Sequence, residues 1–352
     1  MRALLLGLAL CAAGGCLGAQ DLGLYGRFGL GARVGWTLKN HLADFDRVYV
    51  EAYTLLDFEQ SQQHHALWAR HFVGPDWRIL LGQDCLRLHV KRIALVDNST
   101  FSDGRTYRAD GLDHLLNNQA VRAGSAQALV QMALHDGWDG LAVQFQGSDP
   151  AFKSPYLEWF RALVAAAHAK GMTVDVLLAV QGSDDDNRAF AGMQSFRGLA
   201  EAADQAIVSK GAAIMTGDGG LSDESPEREA VALDYAQANV PAGKGVLSAD
   251  VGGRLYRNGQ MIYFGQDAWV QDCRGGMKPE RRPNGLLRLE LPDGGSAVWA
   301  DPLAMIRGLK DGVARGYRRF LFAPAAIADG GFWPWWEQNR GKLAAPAAAP
   351  SN

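Results

Sequence analysis

Cysteine is scarce in this chain, with 4 in 352 residues. Cys11 and Cys16 fall in the N-terminal leader, which leaves Cys85 and Cys273. An oxidising compartment permits those two to pair, and two buried thiols that never meet fit the sequence equally well. A sustained basic tract is also missing. With 35 Lys and Arg against 38 Asp and Glu, a net charge of -3, nothing here attracts a phosphate backbone, which argues against nucleic acid as a partner. There are no internal repeats. No cofactor is implied, and metal ligation is poorly served: His64 and His65 are adjacent and diverge on a helix, and Asp184, Asp185 and Asp186 read as a solvated loop.

What is present begins with an export signal. Arg2 precedes an apolar run from Ala3 to Ala13, too short to span a bilayer as a helix, and small residues follow. Two processing routes fit. Leu17-Gly18-Ala19 suits an ordinary signal peptidase, whereas Ala13-Gly14-Gly15-Cys16 is an imperfect lipobox that leaves Cys16 lipidated and the chain attached to a membrane. Either route places the mature protein outside the cytoplasm, in the periplasm or cell envelope. The organisation read from the sequence is a signal peptide over 1–19, one large domain over 20–340, and a disordered Ala- and Pro-rich tail over 341–352.

Within the domain, short apolar runs alternate with amphipathic helices, which calls for a parallel sheet with crossover helices. Strands are predicted at Arg47 to Tyr53, Arg92 to Asp97, Met172 to Val180, Ala206 to Val208, Gly245 to Ala249 and Arg318 to Phe322. Helices are predicted at Ala120 to His135, with Ala126, Leu129, Val130 and Ala133 on one stripe, and at Tyr156 to Lys170, stopped by Gly171. Asp301-Pro302 starts the last long helix. Asn258-Gly259 and Asp293-Gly294-Gly295 mark two hairpins, read as an antiparallel insertion at about 252–299. The fold class is α/β, a (β/α)8 TIM barrel with this small insertion between strands 7 and 8.

The strand Asp139-Gly140-Leu141-Ala142-Val143-Gln144-Phe145-Gln146 resembles the Asp-Gly-x-x-x-Asp-x-Glu signature of glycoside hydrolase family 18, the chitinase-like barrels. Further segments extend the resemblance over about Leu22 to Trp336. Leu115-Leu116-Asn117-Asn118 leading to Gly137-Trp138-Asp139-Gly140 is similar to the bacterial spore-cortex-lytic type. Leu199 to Asp204 looks like the approach to the sixth strand, Asp234-Tyr235-Ala236 through Gly245-Val246-Leu247 like the seventh helix and strand, and Ala297 to Asp301 like the opening of the last helix.

The resemblance implies a substrate-binding role for the end of this strand and an altered chemistry. Gln146 stands in place of the general acid and Gln144 in place of the Asp that orients the acetamide. An amide keeps the shape and hydrogen-bonding reach of a carboxyl but has no titratable proton to give a leaving group. Asp139 is the first acid of the signature, which by the family pattern supports the others. A strand-start residue bonded to nearby backbone is its plainer role. At the sixth strand the family's Met-Thr-Tyr-Asp is replaced by Ser209-Lys210-Gly211-Ala212, or displaced to Met215-Thr216-Gly217-Asp218, which lacks the Tyr. The family's Trp on the eighth strand is absent from Phe322-Ala323-Pro324-Ala325. General acid catalysis is commonly worth about a hundredfold to ten-thousandfold, so losing it together with the orienting charge leaves little hydrolysis.

Other carboxylates at strand ends, Glu51, Asp97, Asp218 and Asp250, are candidates for ligand contacts or for a displaced catalytic pair; capping or solvated loop roles are the alternative. Trp333, in a cluster with Trp335 and Trp336, is a candidate platform for a sugar ring or a hydrophobic plug on the barrel side. The expected function is an exported barrel of impaired catalysis that binds an N-acetylglucosamine-containing glycan, from peptidoglycan or chitin. An active glycosidase using displaced carboxylates and a structural envelope protein are the alternatives. Oligomeric state is not legible.

Overall fold

The structure is a computed structural model that describes residues 23–28, 40–71, 80–98, 109–147, 149–179, 181–183, 192–209, 214–215, 221–222, 226–250, 253–257, 260–264, 277–283, 285–292, 294–323 and 332–344. Its centre is a curled parallel sheet. In chain order the strands are β1 (Gly23–Phe28), β2 (Arg47–Leu55), β3 (Trp68–Arg70), β4 (Lys91–Asp97), β5 (Gly140–Gln144), β6 (Thr173–Leu178) and β7 (Gln205–Ser209). Two-residue strands β8 (Ile214–Met215) and β9 (Leu221–Ser222) pair with each other, and then β10 (Gly245–Asp250) rejoins the parallel sheet.

After β10 the chain makes a five-stranded antiparallel sheet from β11 (Gly253–Arg257), β12 (Gln260–Phe264), β13 (Glu280–Arg281), β14 (Leu287–Glu290) and β15 (Ser296–Trp299). β16 (Arg319–Ala323) returns to the parallel sheet. The parallel neighbours run β1-β16-β10-β7-β6-β5-β4-β2, and β1 also pairs with β2. The sheet is therefore TIM-barrel-like. β3 is an antiparallel addition to the end of β2, with Tyr53 opposite Arg70 and Leu55 opposite Trp68.

Strand alternation separates two apolar layers. One face points inward and contributes Tyr25, Tyr49, Ile93, Leu95, Ala142, Leu177, Ile207, Val246 and Leu321 to a single cluster. The other packs Val48, Val50, Ala94, Val96, Leu141 and Val143 against the surrounding helices. The Gln119–His135 helix begins where the Asn118 side chain accepts from the Ala120 and Val121 N–H groups, and it buries Ala126, Leu129, Val130 and Ala133. It ends at Gly137, whose φ of 81° turns the chain into β5. The Lys153–His168 helix buries Tyr156, Trp159, Phe160, Leu163, Val164 and Ala167, and Gly171 ends it with φ 73°.

One end of the inner face is polar. Arg47 donates to Asp175 Oδ2 at 2.8 Å and the Tyr49 hydroxyl donates to the same oxygen at 2.7 Å. The Arg47 guanidinium lies 5.4 Å from the centre of the Tyr25 ring. Burial pushes the Asp175 carboxyl above its usual range although Arg47 opposes the shift. This knot lies toward the end of the sheet from which the strands start.

One expectation changes, and two open alternatives narrow. The sequence predicts a tail from Gly341 onward, but the last helix runs Phe332–Ala344, so Gly341 to Ala344 complete it: Lys342, Leu343 and Ala344 are good helix formers and carry the helix through the glycine. Residues 345–352 lie outside the described residues, as do 1–22. Trp333 is core: it is 3% exposed, stacked on His41 at 4.0 Å between ring centres, and met edge-on by Phe45 and Phe332. A ring so enclosed offers no face to a sugar. Finally, Cys85 is a free, buried thiol, pushed up to about 12 by burial, while Cys273 lies outside the described residues.

Candidate functional site

β5 is fixed at both ends by different chemistry. At its start, Asp139 accepts from the Arg92 backbone N–H at 2.9 Å and from the Arg92 guanidinium at 2.8 and 3.0 Å. Partial burial raises the Asp139 carboxyl, but the Arg92 hydrogen bonds outweigh it and hold the group below its usual range. Five residues of strand, about 16 Å at 3.3 Å each, separate Asp139 from Gln144. Asp139 therefore ties β5 to β4 at one end and reaches nothing at the other. Gly140 is required beside it: a Cβ there would lie 2.5 Å from Thr173 Oγ1 and 2.8 Å from the Thr173 carbonyl oxygen.

At the far end, side chains sort by alternation. Phe145 points outward, fully buried, into an aromatic column: its ring centre is 5.1 Å from Trp159, 5.7 Å from Tyr156 and 6.2 Å from Trp68. Ser125 anchors the column, its hydroxyl accepting from Trp159 Nε1 at 3.0 Å and its carbonyl from Trp68 Nε1 at 3.3 Å. Gln144 follows Ala142 on the inner face, in register with Asp97 of β4, which follows Leu95 there. The Gln144 amide oxygen is buried and makes no hydrogen bond among the described residues.

Other polar residues belong to this end of the sheet. Asp97 is 7% exposed and lies 4.0 Å from His71 Nε2. His71 is brought there because its N–H donates to the Ala52 carbonyl at 2.8 Å, extending the pairing of β3 with β2. Glu51 follows Tyr49 on the inner face of β2, opposite Leu95, just before a shift of register between Glu51 and Tyr53. The structure thus brings Glu51, Asp97 and Gln144 to the inner face of adjacent strands, with Gln146 two residues beyond Gln144. Asp250 ends β10 in register with Ala323, and its side chain is outside the described residues; Asp218 is outside them altogether.

Sequence reasoning missed His71, Asn98 and Gln194. Asn98 is fully buried and Gln194 is 2% exposed, and both are bonded to the backbone at Phe145 and Gln146. His71 could have been noticed only by recognising a three-residue strand. Asn98 directly follows the strand-ending Asp97, a position where a short amide is a usable signal.

Among the described residues no cluster of three or more His, Cys, Asp or Glu side chains is arranged to hold a metal ion. None of their helices is long and apolar enough to cross a membrane.

Comparison with family models and with curated proteins gave no match. Solved structures do match. A chitinase from Chromobacterium violaceum ATCC 12472 superposes with a TM-score of 0.74 at 17% identity, covering 90% of this chain and 98% of that one. The spore cortex-lytic enzyme SleL of Bacillus megaterium QM B1551 gives 0.74 at 12% identity, over 91% of this chain and 74% of that one. A class V chitinase from Pseudomonas fluorescens Pf-5 gives 0.74 at 16%, over 90% and 98%. The chain has the fold of the chitinases and spore cortex-lytic enzymes, that of glycoside hydrolase family 18.

Proposed function

We propose that this chain is an exported (β/α)8 barrel that holds an N-acetylglucosamine-containing glycan, a peptidoglycan or chitin fragment, at the end of β5 and is impaired in cleaving it. The structural neighbours named as chitinases and cortex-lytic enzymes support the ligand class. One observation carries the rest: amides occupy 144 and 146, and the buried Gln144 oxygen has no hydrogen-bond partner among the described residues. A buried acceptor without a donor costs about 1–3 kcal/mol. An N–H or O–H of a bound sugar would relieve that cost, so the oxygen favours a ligand rich in donors. Neither amide can protonate a glycosidic oxygen.

Isothermal titration calorimetry of the mature chain, residues 20–352, with a soluble N-acetylglucosamine oligomer tests this. The expected result is saturable heat that Gln144→Leu abolishes. Heat that continues after each injection means turnover and refutes the impaired-catalysis part; no heat refutes glycan binding. The second reading, a glycosidase using displaced carboxylates, is favoured by Glu51 and Asp97 on the inner face. It requires turnover that Asp97→Asn or Glu51→Gln removes. For the leader, intact-mass measurement of the membrane fraction separates a lipidated Cys16 from cleavage after Ala19.

A further inference from the structure

The ladder between β4 and β5 ends at Asp97 opposite Gln144, and the ladder between β5 and β6 ends at Val143 opposite Val176. Phe145 and Gln146 lie beyond both, yet their backbone is bonded on each flank. On the β4 side, Asn98 Oδ1 accepts the Gln146 N–H at 3.0 Å and Asn98 Nδ2 donates to the Gln146 carbonyl at 2.9 Å. On the β6 side, Gln194 Nε2 donates to the Phe145 carbonyl at 2.9 Å while its Oε1 accepts the Ala179 N–H at 2.9 Å. The neighbouring Met193 N–H donates to the Gly147 carbonyl at 3.1 Å.

A primary amide carries a C=O acceptor and N–H donors in one plane, so it can offer a strand the donor and acceptor that a peptide unit offers in a ladder. We infer that Asn98 and Gln194 are positioning residues for the ligand site, side-chain rungs that continue the sheet on both flanks of β5 and fix where Gln146 stands. The inference rests on the end of β5 being the glycan site. It assigns a function to two buried amides that contact no ligand themselves. Because a misplaced group at a binding site loses affinity steeply, the rungs set how well position 146 meets its ligand.

The test uses the mature chain, with Asn98→Ala, Asn98→Asp and Gln194→Ala. Hydrogen exchange is followed over residues 141–147, thermal unfolding is recorded in parallel, and the β-1,4-linked tetramer of N-acetylglucosamine is titrated at pH 5 and pH 8. In wild type the Gln146 amide should be as protected as those of the β5 ladder. Asn98→Ala should expose that amide selectively and weaken the tetramer about tenfold, the loss of roughly one net hydrogen bond. Asn98→Asp gives the signature that a merely structural role would not produce. Its buried carboxyl, neutral at pH 5, reproduces the donor and acceptor of the amide; ionised at pH 8, it turns an acceptor toward the Gln146 carbonyl.

Affinity of that variant should fall about tenfold between the two pH values, while wild type changes by less than about twofold. Asp97 and His71 stand at the same end of the sheet, so wild type is measured at both. Should Asn98→Ala fail to fold, Asn98→Asp supplies the comparison within one chain. Wild-type affinity in Asn98→Ala despite a lost Gln146 protection overturns the inference, as does unchanged protection. If wild type binds no tetramer, the glycan reading fails, and the exchange measurement alone decides whether the rungs hold the strand end.

Discussion

Removing the Phe145 ring should loosen the site from behind. The side chain is fully buried and its ring is in contact with those of Trp159, Tyr156 and Trp68. Phe→Ala in a core costs about 3–5 kcal/mol through lost transfer energy and the cavity left behind. The unfolding entropy of a 352-residue chain, near 2.1 cal/mol/K per residue, is on the order of 0.7 kcal/mol per kelvin. A loss of about 4 kcal/mol therefore lowers the thermal midpoint by about 5–6 °C. Phe145→Leu keeps most of the volume and should lose less than half as much. A double-mutant cycle of Phe145→Leu with Trp159→Leu should return a coupling of about 0.5–1.5 kcal/mol, the usual worth of an aromatic pair beyond its buried area. The assay is differential scanning calorimetry with urea unfolding on the same samples. A midpoint shift below about 2 °C for Phe145→Ala, or zero coupling with Trp159, would refute the claim that the column holds this strand end.

Gly140→Ala should destabilise by more than about 2 kcal/mol, because the added methyl meets the Thr173 backbone and hydroxyl; urea unfolding measures it, and a loss under about 0.5 kcal/mol contradicts the packing. Acid should weaken the fold from about pH 4 downward. Asp136, Asp139 and Asp301 all ionise below their usual range because hydrogen bonds from Arg70 and Tyr53, from Arg92, and from Arg281 outweigh partial burial. A depressed carboxyl contributes stability that is fully present above its unfolded value, near 3.9, and is lost as pH falls through its folded value. The exposed Arg70 and Arg281 pairs contribute little and less in salt, so most of the effect should disappear in Asp139→Asn. Urea midpoints that stay level from pH 5 to pH 3 contradict this.

The scaffold was legible where periodicity was long. The Gln119–His135 and Lys153–His168 helices and the central strands announce themselves by apolar spacing, and both hairpins by their turn residues. β3 escaped because three residues carry no period. The role of Trp333 stays open in the sequence because composition says that a tryptophan is near the sheet's end but not which way its ring faces; His41, far away in sequence, occupies one face. The site divides the same way. The positions of Gln144 and Gln146 follow from one strand. Their supports do not: Asn98 is 48 residues from Gln146 and Gln194 is 49 from Phe145, so the pairing exists only once the sheet has curled.

The knot around Asp175 has a consequence for how the chain folds. Arg47 and Tyr49 reach Asp175 across 128 and 126 residues, whereas neighbouring strands such as β4 and β5 are linked by one much shorter crossover carrying two helices. Contacts of such long separation carry more loop-closure entropy than neighbouring-strand contacts and form later. Tyr49 is fully buried against a carboxylate, so its ultraviolet signature is a built-in clock for the meeting of β2 with β6. The backbone amides of β4 and β5 should gain protection before that signal appears.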